Sequence, residues 1–175
     1  MRVIVTICCS LLLVCLLAGC SDLPATQPLV TMTEPLAPVT FDAARHAPAV
    51  HHVDLTNDAR WQNECDRLSR IEGFRLAFAV TPAEDDARPT RIAIYISDAR
   101  TLTAATITQA EYLTTCALPG SRIPLQFDSG YTRVSPRADA LLRGGVFSLY
   151  LLPDSATNAA LSQLKFSLQA RVGVL

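Results

Sequence analysis

Histidine and acidic side chains offer the first candidate chemistry in this 175-residue chain. His46, His51 and His52 lie within seven residues of one another, and imidazoles at such spacing can bind a transition metal. No later residue supplies a further ligand at a recognisable spacing, so we interpret these histidines as solvated linker side chains. The acidic run at residues 84–86 lacks the twelve-residue loop and central glycine of a calcium site. We therefore predict neither a metal site nor a cofactor.

The common signatures of catalysis give no positive indication. No serine stands in a Gly-x-Ser-x-Gly sequence, and the pair Gly144 and Gly145 is typical of a helix end or bulge rather than of a phosphate-binding loop. With 15 Lys and Arg against 16 Asp and Glu, the formal charge of -1 provides no basic footprint for nucleic acid. We predict that the protein is not an enzyme and does not bind nucleic acid.

The first twenty residues carry an export pattern. Arg2 supplies one positive charge, and the apolar run at residues 3–17 is shorter than the roughly 20 residues of a membrane span but suits a secretory signal. The stretch Leu17–Cys20, with two small residues before its cysteine, resembles the lipobox of bacterial lipoproteins. The resemblance implies removal of residues 1–19 as a signal peptide and lipidation of Cys20. An ordinary signal peptide that contains a cysteine by chance is the alternative.

The residue after the lipidated cysteine bears on location. In lipoproteins of enteric bacteria, Asp directly after that cysteine marks retention at the inner membrane. Here Ser21 follows Cys20, and Asp22 comes one position later. The resemblance therefore implies a lipid anchor in the outer membrane with the protein facing the periplasm, and it leaves the inner membrane open.

Residues 20–50 are rich in proline, which fixes φ and removes a hydrogen-bond donor. The prolines of this stretch are Pro24, Pro28, Pro35, Pro38 and Pro48. Such a segment cannot build a helix and makes at best an edge strand. We predict a flexible tether after the lipidated cysteine, able to hold a folded domain up to about 80 Å from the lipid.

Cys65 and Cys116 are the other cysteines that remain after the expected processing. In an oxidising periplasm a leftover pair is most simply a disulfide. Because 51 positions separate the two, a bridge would add about 4 kcal/mol to the free energy of unfolding. Two unpaired buried thiols are the alternative, and the absence of a Cys-x-x-Cys motif argues against a redox pair.

Two helices are predicted in the folded part, residues 51–175. The first begins at a cap on Thr56 or Asn57 and ends at Gly73. Its apolar face at helical spacing is formed by Trp61, Cys65, Leu68 and Ile71. The second is short and lies between Ser135–Pro136 and the glycines at 144–145.

The rest of residues 51–175 alternates with the period of a strand. The candidate strands are residues 74–80, 91–97, 105–115, 121–127, 145–152 and 165–174. Turn residues separate them. This order predicts a mainly β fold, a small antiparallel β-sandwich or open barrel with one N-terminal helix and a short second helix.

Two of these segments carry a family resemblance. Arg91–Ala99 is a strand pattern that ends in Asp, and Ser121–Tyr131, followed by Val134–Pro136, contains Ile-Pro-Leu-x-Phe before a Tyr-containing turn. Both resemble segments of the YscW-like lipoproteins. The resemblance implies a small β-sandwich lipoprotein, and some members of that family are pilotins that escort secretin subunits to the outer membrane. The Pro-rich tether, the first helix and the run after Pro136 depart from the family pattern.

A pilotin-like role needs a lipid anchor, a flexible reach and an apolar groove or strand edge that holds a partner segment. One candidate strand is apolar on both faces, and we predict a partner-binding surface there, formed by Val146, Phe147, Leu149, Tyr150 and Leu151. Burial of both faces in the core is the alternative. We expect a non-enzymatic binding or scaffold module for a secretin or similar envelope protein. A periplasmic lipoprotein that binds a small ligand or metal is the other hypothesis.

Overall fold

The computed structural model of the protein describes residues 27–45, 47–82, 90–118 and 124–173. Its strands lie in two antiparallel sheets, accompanied by two α-helices. The predicted fold class, a mainly β protein built as a small antiparallel sandwich, is confirmed. In chain order the elements are β1 (Leu29–Pro35), β2 (Val39–Phe41), β3 (Ala49–Asp54), α1 (Ala59–Glu64), β4 (Leu68–Pro82), β5 (Thr90–Ser97), β6 (Glu111–Leu118), β7 (Leu125–Asp128), α2 (Pro136–Arg143), β8 (Val146–Pro153) and β9 (Ala159–Val172).

The two sheets differ in strand order. In the first sheet β1, β9, β4 and β7 lie side by side, and β2 also pairs with β9. In the second sheet the order is β3, β8, β5 and β6. Strand β9 pairs on one side with β1, where Leu29 lies opposite Arg171, and on the other side with β4, where Leu68 lies opposite Val172. The starts of β1 and β4 and the end of β9 therefore meet at one corner of the first sheet.

The core lies between the two sheets and follows from strand alternation. In β9, Leu164, Phe166 and Leu168 are buried on the inner face. The Phe166 ring lies 6.3 Å from that of Phe74 in the same sheet and 5.5 Å from that of Phe147 in the second sheet. Aromatic contacts across the interior thus join the sheets, and apolar burial of this kind is the main favourable term in folding.

A second, smaller core covers the outer face of the second sheet. Buried Tyr150 packs there with Leu102, Ile107 and Ala110, and its hydroxyl donates a 2.7 Å hydrogen bond to the carbonyl of Ala99. The strand predicted at 105–115 is therefore wrong in its first half, because Ile107 enters this cluster from a 3-10 turn and β6 begins only at Glu111.

The first predicted helix is much shorter than expected. Asp58 caps α1 by accepting hydrogen bonds from the backbone amides of Arg60 and Trp61, so the cap predicted on Thr56 or Asn57 lies one or two residues too early. Leu68 and Ile71, predicted on the helix face, lie in β4. Both residues pair with β9, and the Ile71 amide donates a 2.7 Å hydrogen bond to Asp139 Oδ1, so these long-range contacts override the local helical period.

The second predicted helix is confirmed as α2. Ser135 caps it by accepting a 3.1 Å hydrogen bond from the amide of Ala138, and Pro136 occupies its first position. Proline is favoured there because its missing N–H would have no partner inside the helix. The helix ends at Gly144 as expected.

The predicted tether is wrong from Leu29 onward, because β1 and β2 are strands of the first sheet. Met32 and Phe41 are each only 5% exposed. The prolines remain compatible with strands because Pro35 ends β1 and Pro38 lies in the break before β2, where a missing donor costs little. The domain therefore begins more than twenty residues before the predicted boundary at 51. Residues 20–26 lie outside the described part of the chain.

Candidate functional site

The predicted lipidation residue, Cys20, and the signal peptide lie outside the described residues. Within the ranges that the structure describes, the helices are too short and too polar to cross a bilayer.

The predicted partner-binding strand is not a surface. Strand β8 lies between β3 and β5. Phe147, Leu149, Tyr150 and Leu151 are each at most 2% exposed, whereas Val146 is 48% exposed. The inner face meets the first sheet, and the smaller core covers Tyr150 on the outer face. The alternative interpretation, burial of both faces, is therefore correct, and the predicted binding surface is wrong.

The predicted disulfide is not formed, since Cys65 and Cys116 are both free thiols. Cys116 is fully buried on the inner face of β6, whereas Cys65 is half-buried in the turn after α1. Burial raises the pKa of the Cys116 thiol to about 12, because the charged thiolate is costly away from water. The spacing of the two cysteines in the sequence carries no information about how deeply each one is buried.

The two cysteines of the folded domain should therefore differ in reactivity. We expect a thiol-specific reagent to modify Cys65 in the native state and Cys116 only after unfolding, since the reactive species is the thiolate. A colorimetric thiol titration with and without denaturant measures this, and Cys65→Ser removes the native signal as the matched control. A protein with no free thiol before reduction would instead contain the disulfide.

The histidines belong to a strand rather than to a solvated linker. His51 and His52 lie in β3, and His46 is outside the described residues. His52 is exposed, with its Nδ1 3.0 Å from Ser148 Oγ. His51 is 9% exposed, and its Nε2 has no hydrogen-bond partner among the described residues. No group of three metal-ligating side chains occurs in the described ranges.

The buried imidazole predicts acid sensitivity. Burial, and secondarily the nearby charge of His52, lower the pKa of His51 below its ordinary value of 6.5. As the pH falls, His51 of the unfolded chain therefore binds a proton before His51 of the folded protein does. The contribution of the neutral imidazole to the free energy of unfolding is fully present above pH 6.5 and is lost as the pH drops below that value.

Urea unfolding midpoints at about pH 7.5 and about pH 5 measure this loss. We expect His51→Leu to reduce the difference between the two midpoints strongly. His52→Gln, at the exposed neighbouring position, should reduce it only slightly, because the charge of His52 is the secondary cause of the shift. Equal pH dependence in the His51→Leu variant would contradict the assignment.

One pair missed at the sequence level is Ser162 and Lys165, which form a Ser-x-x-Lys spacing in β9. Both lie opposite outward alanines of β4, with Ser162 facing Ala79 and Lys165 facing Ala77. No hydrogen bond joins these two described side chains. An activated serine needs an adjacent base within hydrogen-bonding reach, so the arrangement has no catalytic geometry.

An open apolar groove of about 560 Å³ lies at one end of the first sheet. The opposite end is the corner where β1 and β4 begin and β9 ends. The end of β4, the start of β9 and strand β2 form the groove. Its lining residues are Thr40, Phe41, Asp42, Thr81, Asn158, Ala159 and Ala160. The amide of Ala43 donates a 2.8 Å hydrogen bond to Asn158 Oδ1, which holds the chain after β2 against the start of β9. We name this feature the distal groove.

The distal groove can accept an apolar side chain and offers polar groups at its rim. Its floor is apolar, from Phe41 and Ala159, while Thr40, Asp42 and Thr81 are exposed. Its volume is within the range of small-ligand and peptide-anchor pockets. Sequence reasoning missed it because residues 39–41 were assigned to a tether, although their alternation was a usable strand signal.

Comparisons with known proteins place the chain in no family. No protein-family model matches it, and no curated protein matches it. A solved structure of disulfide-linked pili from Bacillus endospore appendages is 9% identical, with a TM-score of 0.36 over 85% of this chain and 93% of that chain. A structure of turnip yellow mosaic virus is 14% identical, with a TM-score of 0.31 over 89% of this chain and 88% of that chain. A structure of Desmodium yellow mottle tymovirus is 12% identical, with a TM-score of 0.29 over 87% of this chain and 86% of that chain. Likenesses this distant carry no argument about this chain.

Proposed function

We propose that the protein is a lipid-anchored envelope lipoprotein, held in the outer membrane and facing the periplasm, whose β-sandwich binds another envelope protein without catalysis. The observation that carries the proposal is the lipobox-like stretch Leu17–Cys20, and only eight residues lie between Cys20 and the start of β1 at Leu29. A folded module follows the proposed anchor at short range.

The distal groove supports the binding part of the proposal. Strand β9 runs from Ala159 in the groove to Arg171 beside Leu29. At about 3.3 Å per residue these ends lie roughly 40 Å apart. A domain attached to the bilayer near Leu29 can therefore present the groove away from the membrane, where a partner segment can reach it. Escort of a secretin subunit is the finer proposal, and it rests on the resemblance of Arg91–Ala99 and Ser121–Tyr131 to the YscW-like lipoproteins.

Metabolic labelling with an alkyne fatty acid tests the anchor. We expect the wild-type protein to incorporate the label and Cys20→Ala to lose it entirely, because Cys20 supplies the only proposed attachment atom. Cys15→Ala is the matched control, since that residue is removed with the signal peptide and its loss should leave labelling intact. Mass spectrometry of a processed protein with a bare amino terminus and no acyl mass would refute the proposal.

Photo-crosslinking in cells tests the binding surface. A photoreactive amino acid at Thr81, on the groove rim, is expected to capture a discrete protein, whereas the same group at exposed Arg91 in the second sheet is not. Capture of a secretin subunit would support the finer proposal. Equal capture at both positions would argue against the groove, and a small molecule retained by the purified protein would favour the ligand-binding alternative.

A further inference from the structure

The outer face of the first sheet is more basic than the chain as a whole. Its strand residues include the basic side chains Arg70, Arg75, Lys165 and Arg171 and the acidic side chains Glu72 and Asp128. The whole chain has a formal charge of -1. The excess of positive charge on this face is therefore a local feature of the fold.

The basic residues are densest at the corner where β1 and β4 begin. Arg70 lies opposite Arg171 on the adjacent strand. Arg171 Nε donates a 2.5 Å hydrogen bond to Glu72 Oε1, and this bond, followed by the charges of Arg171, Arg70 and Arg133, lowers the pKa of Glu72. We name Arg70, Arg133 and Arg171 the arginine corner. One carboxylate thus lies among three guanidinium groups.

The arginine corner has unmatched positive charge. Arg70 and Arg133 are exposed, and neither forms an ion pair with a carboxylate of the described residues. Like charges directly opposite one another on paired strands are destabilising, and the single carboxylate of Glu72 offsets only one of the three arginine charges. Guanidinium groups bind phosphate oxygens through paired hydrogen bonds. The corner therefore favours an external anion.

The chain that leads to the proposed anchor is fixed at this same corner. Ser69 Oγ donates a 2.7 Å hydrogen bond to Gln27 Oε1 and lies 3.1 Å from the carbonyl oxygen of Arg171. The amide of Val172 donates a 3.1 Å hydrogen bond to the carbonyl of Pro28. Seven residue steps separate Cys20 from Gln27, which at no more than about 3.6 Å per residue limits the span to roughly 25 Å.

We infer that the arginine corner lies on the membrane and binds the phosphates of anionic lipid headgroups, with exposed Leu29 at the same interface. The inference rests on the proposed lipid anchor. A bilayer surface that carries anionic lipid attracts clustered arginines within a Debye length, and the short span from Cys20 lets the corner reach that surface. The domain is thereby held in one orientation, with the distal groove away from the bilayer.

The test uses the processed, lipidated protein in vesicles of phosphatidylcholine alone or with phosphatidylglycerol. A fluorophore is attached at Thr31→Cys or Thr40→Cys in a Cys65→Ala background. Both threonines are exposed on the outer face of the first sheet, but Thr31 faces Gln169 near the corner and Thr40 faces Ala160 near the groove. Quenching by a headgroup-labelled lipid reports how close each site lies to the membrane.

In vesicles with phosphatidylglycerol we expect several-fold stronger quenching at position 31 than at position 40, and a smaller difference at high salt. The triple variant Arg70→Gln, Arg133→Gln and Arg171→Gln should lose this difference. The charge-matched triple variant Arg45→Gln, Arg91→Gln and Arg100→Gln should keep it. All variants should float with the vesicles, because the acyl chains are unchanged.

The outcomes separate the two proposals. Flotation with equal quenching at both positions, or with a difference that the first triple variant leaves intact, would overturn the arginine corner as a lipid contact and leave the anchor standing. Failure of the wild-type protein to float would overturn the anchor, and the inference with it.

Discussion

Gly145→Ala is expected to lower the free energy of unfolding by about 3 kcal/mol, the sum of a left-handed backbone penalty and overpacking against an aromatic ring. Gly145 has a φ of 74°, and a Cβ built on it would lie 2.7 Å from Cε2 and Cζ2 of Trp61. Trp61 is 3% exposed. The Gly145 carbonyl also accepts a 2.8 Å hydrogen bond from the amide of Leu55, so the backbone cannot move away without cost.

Gly130→Ala provides the matched control. Gly130 has a similar φ of 61°, but nothing lies within 4 Å of the position its Cβ would occupy. We expect about 1 kcal/mol of destabilisation from the backbone alone. Urea unfolding followed by far-UV circular dichroism gives both values, and equal losses would show that contact with Trp61 is not the source of the larger effect.

Phe166→Ala is expected to cost about 4 kcal/mol, because truncation leaves a cavity where both sheets meet. Phe166 is 1% exposed and contacts the rings of Phe74 and Phe147. No polar group is lost with the side chain, so the effect isolates packing between the sheets.

Phe127→Ala tests the same truncation at the margin. Phe127 lies on edge strand β7, is half-buried, and its ring centroid is 4.8 Å from that of Phe78. Since it loses less buried area, we expect about 1–2 kcal/mol. Thermal and urea unfolding of the two variants decide the matter, and a Phe127→Ala loss as large as that of Phe166→Ala would mean that the core extends further towards β7 than the burial indicates.

Strand alternation made the fold class predictable. Ile92, Ile94 and Ile96 alternate with polar or smaller residues, and all three are buried on the inner face of β5. The start of α2 was predictable because its signals are local. Ser135 accepts a hydrogen bond from a free backbone amide of the first turn, and Pro136 has no amide hydrogen that would need a partner.

Long-range pairing explains what local signals could not provide. Trp61, Leu68 and Ile71 do follow a helical spacing. Leu68 and Ile71 nevertheless pair with β9 in a sheet, and no local pattern reveals that pairing. Similarly, the proline content around Pro35 and Pro38 concealed two strands that exist only because β9 pairs with them.

The candidate site was less predictable than the fold. The distal groove joins the chain near Phe41 to residues near Ala159, more than a hundred positions later. The apolar strand from Val146 to Leu151 indicated burial but could not say that both faces were covered, since the cover on Tyr150 comes from the irregular segment around Ile107. The expected oxidising compartment favoured a disulfide, whereas in the fold Cys65 is a half-buried free thiol and Cys116 a buried one.

The break between β1 and β2 affects how neighbouring copies can meet. An exposed, continuous sheet edge is a template on which another molecule can add a strand and begin to aggregate. Here that side of β9 carries two short strands separated at Leu36–Pro38, with the Leu36 amide donating inward to the carbonyl of Leu164. A foreign strand would meet an interrupted edge with prolines at the gap, so crowded copies can lie side by side without polymerising along this edge.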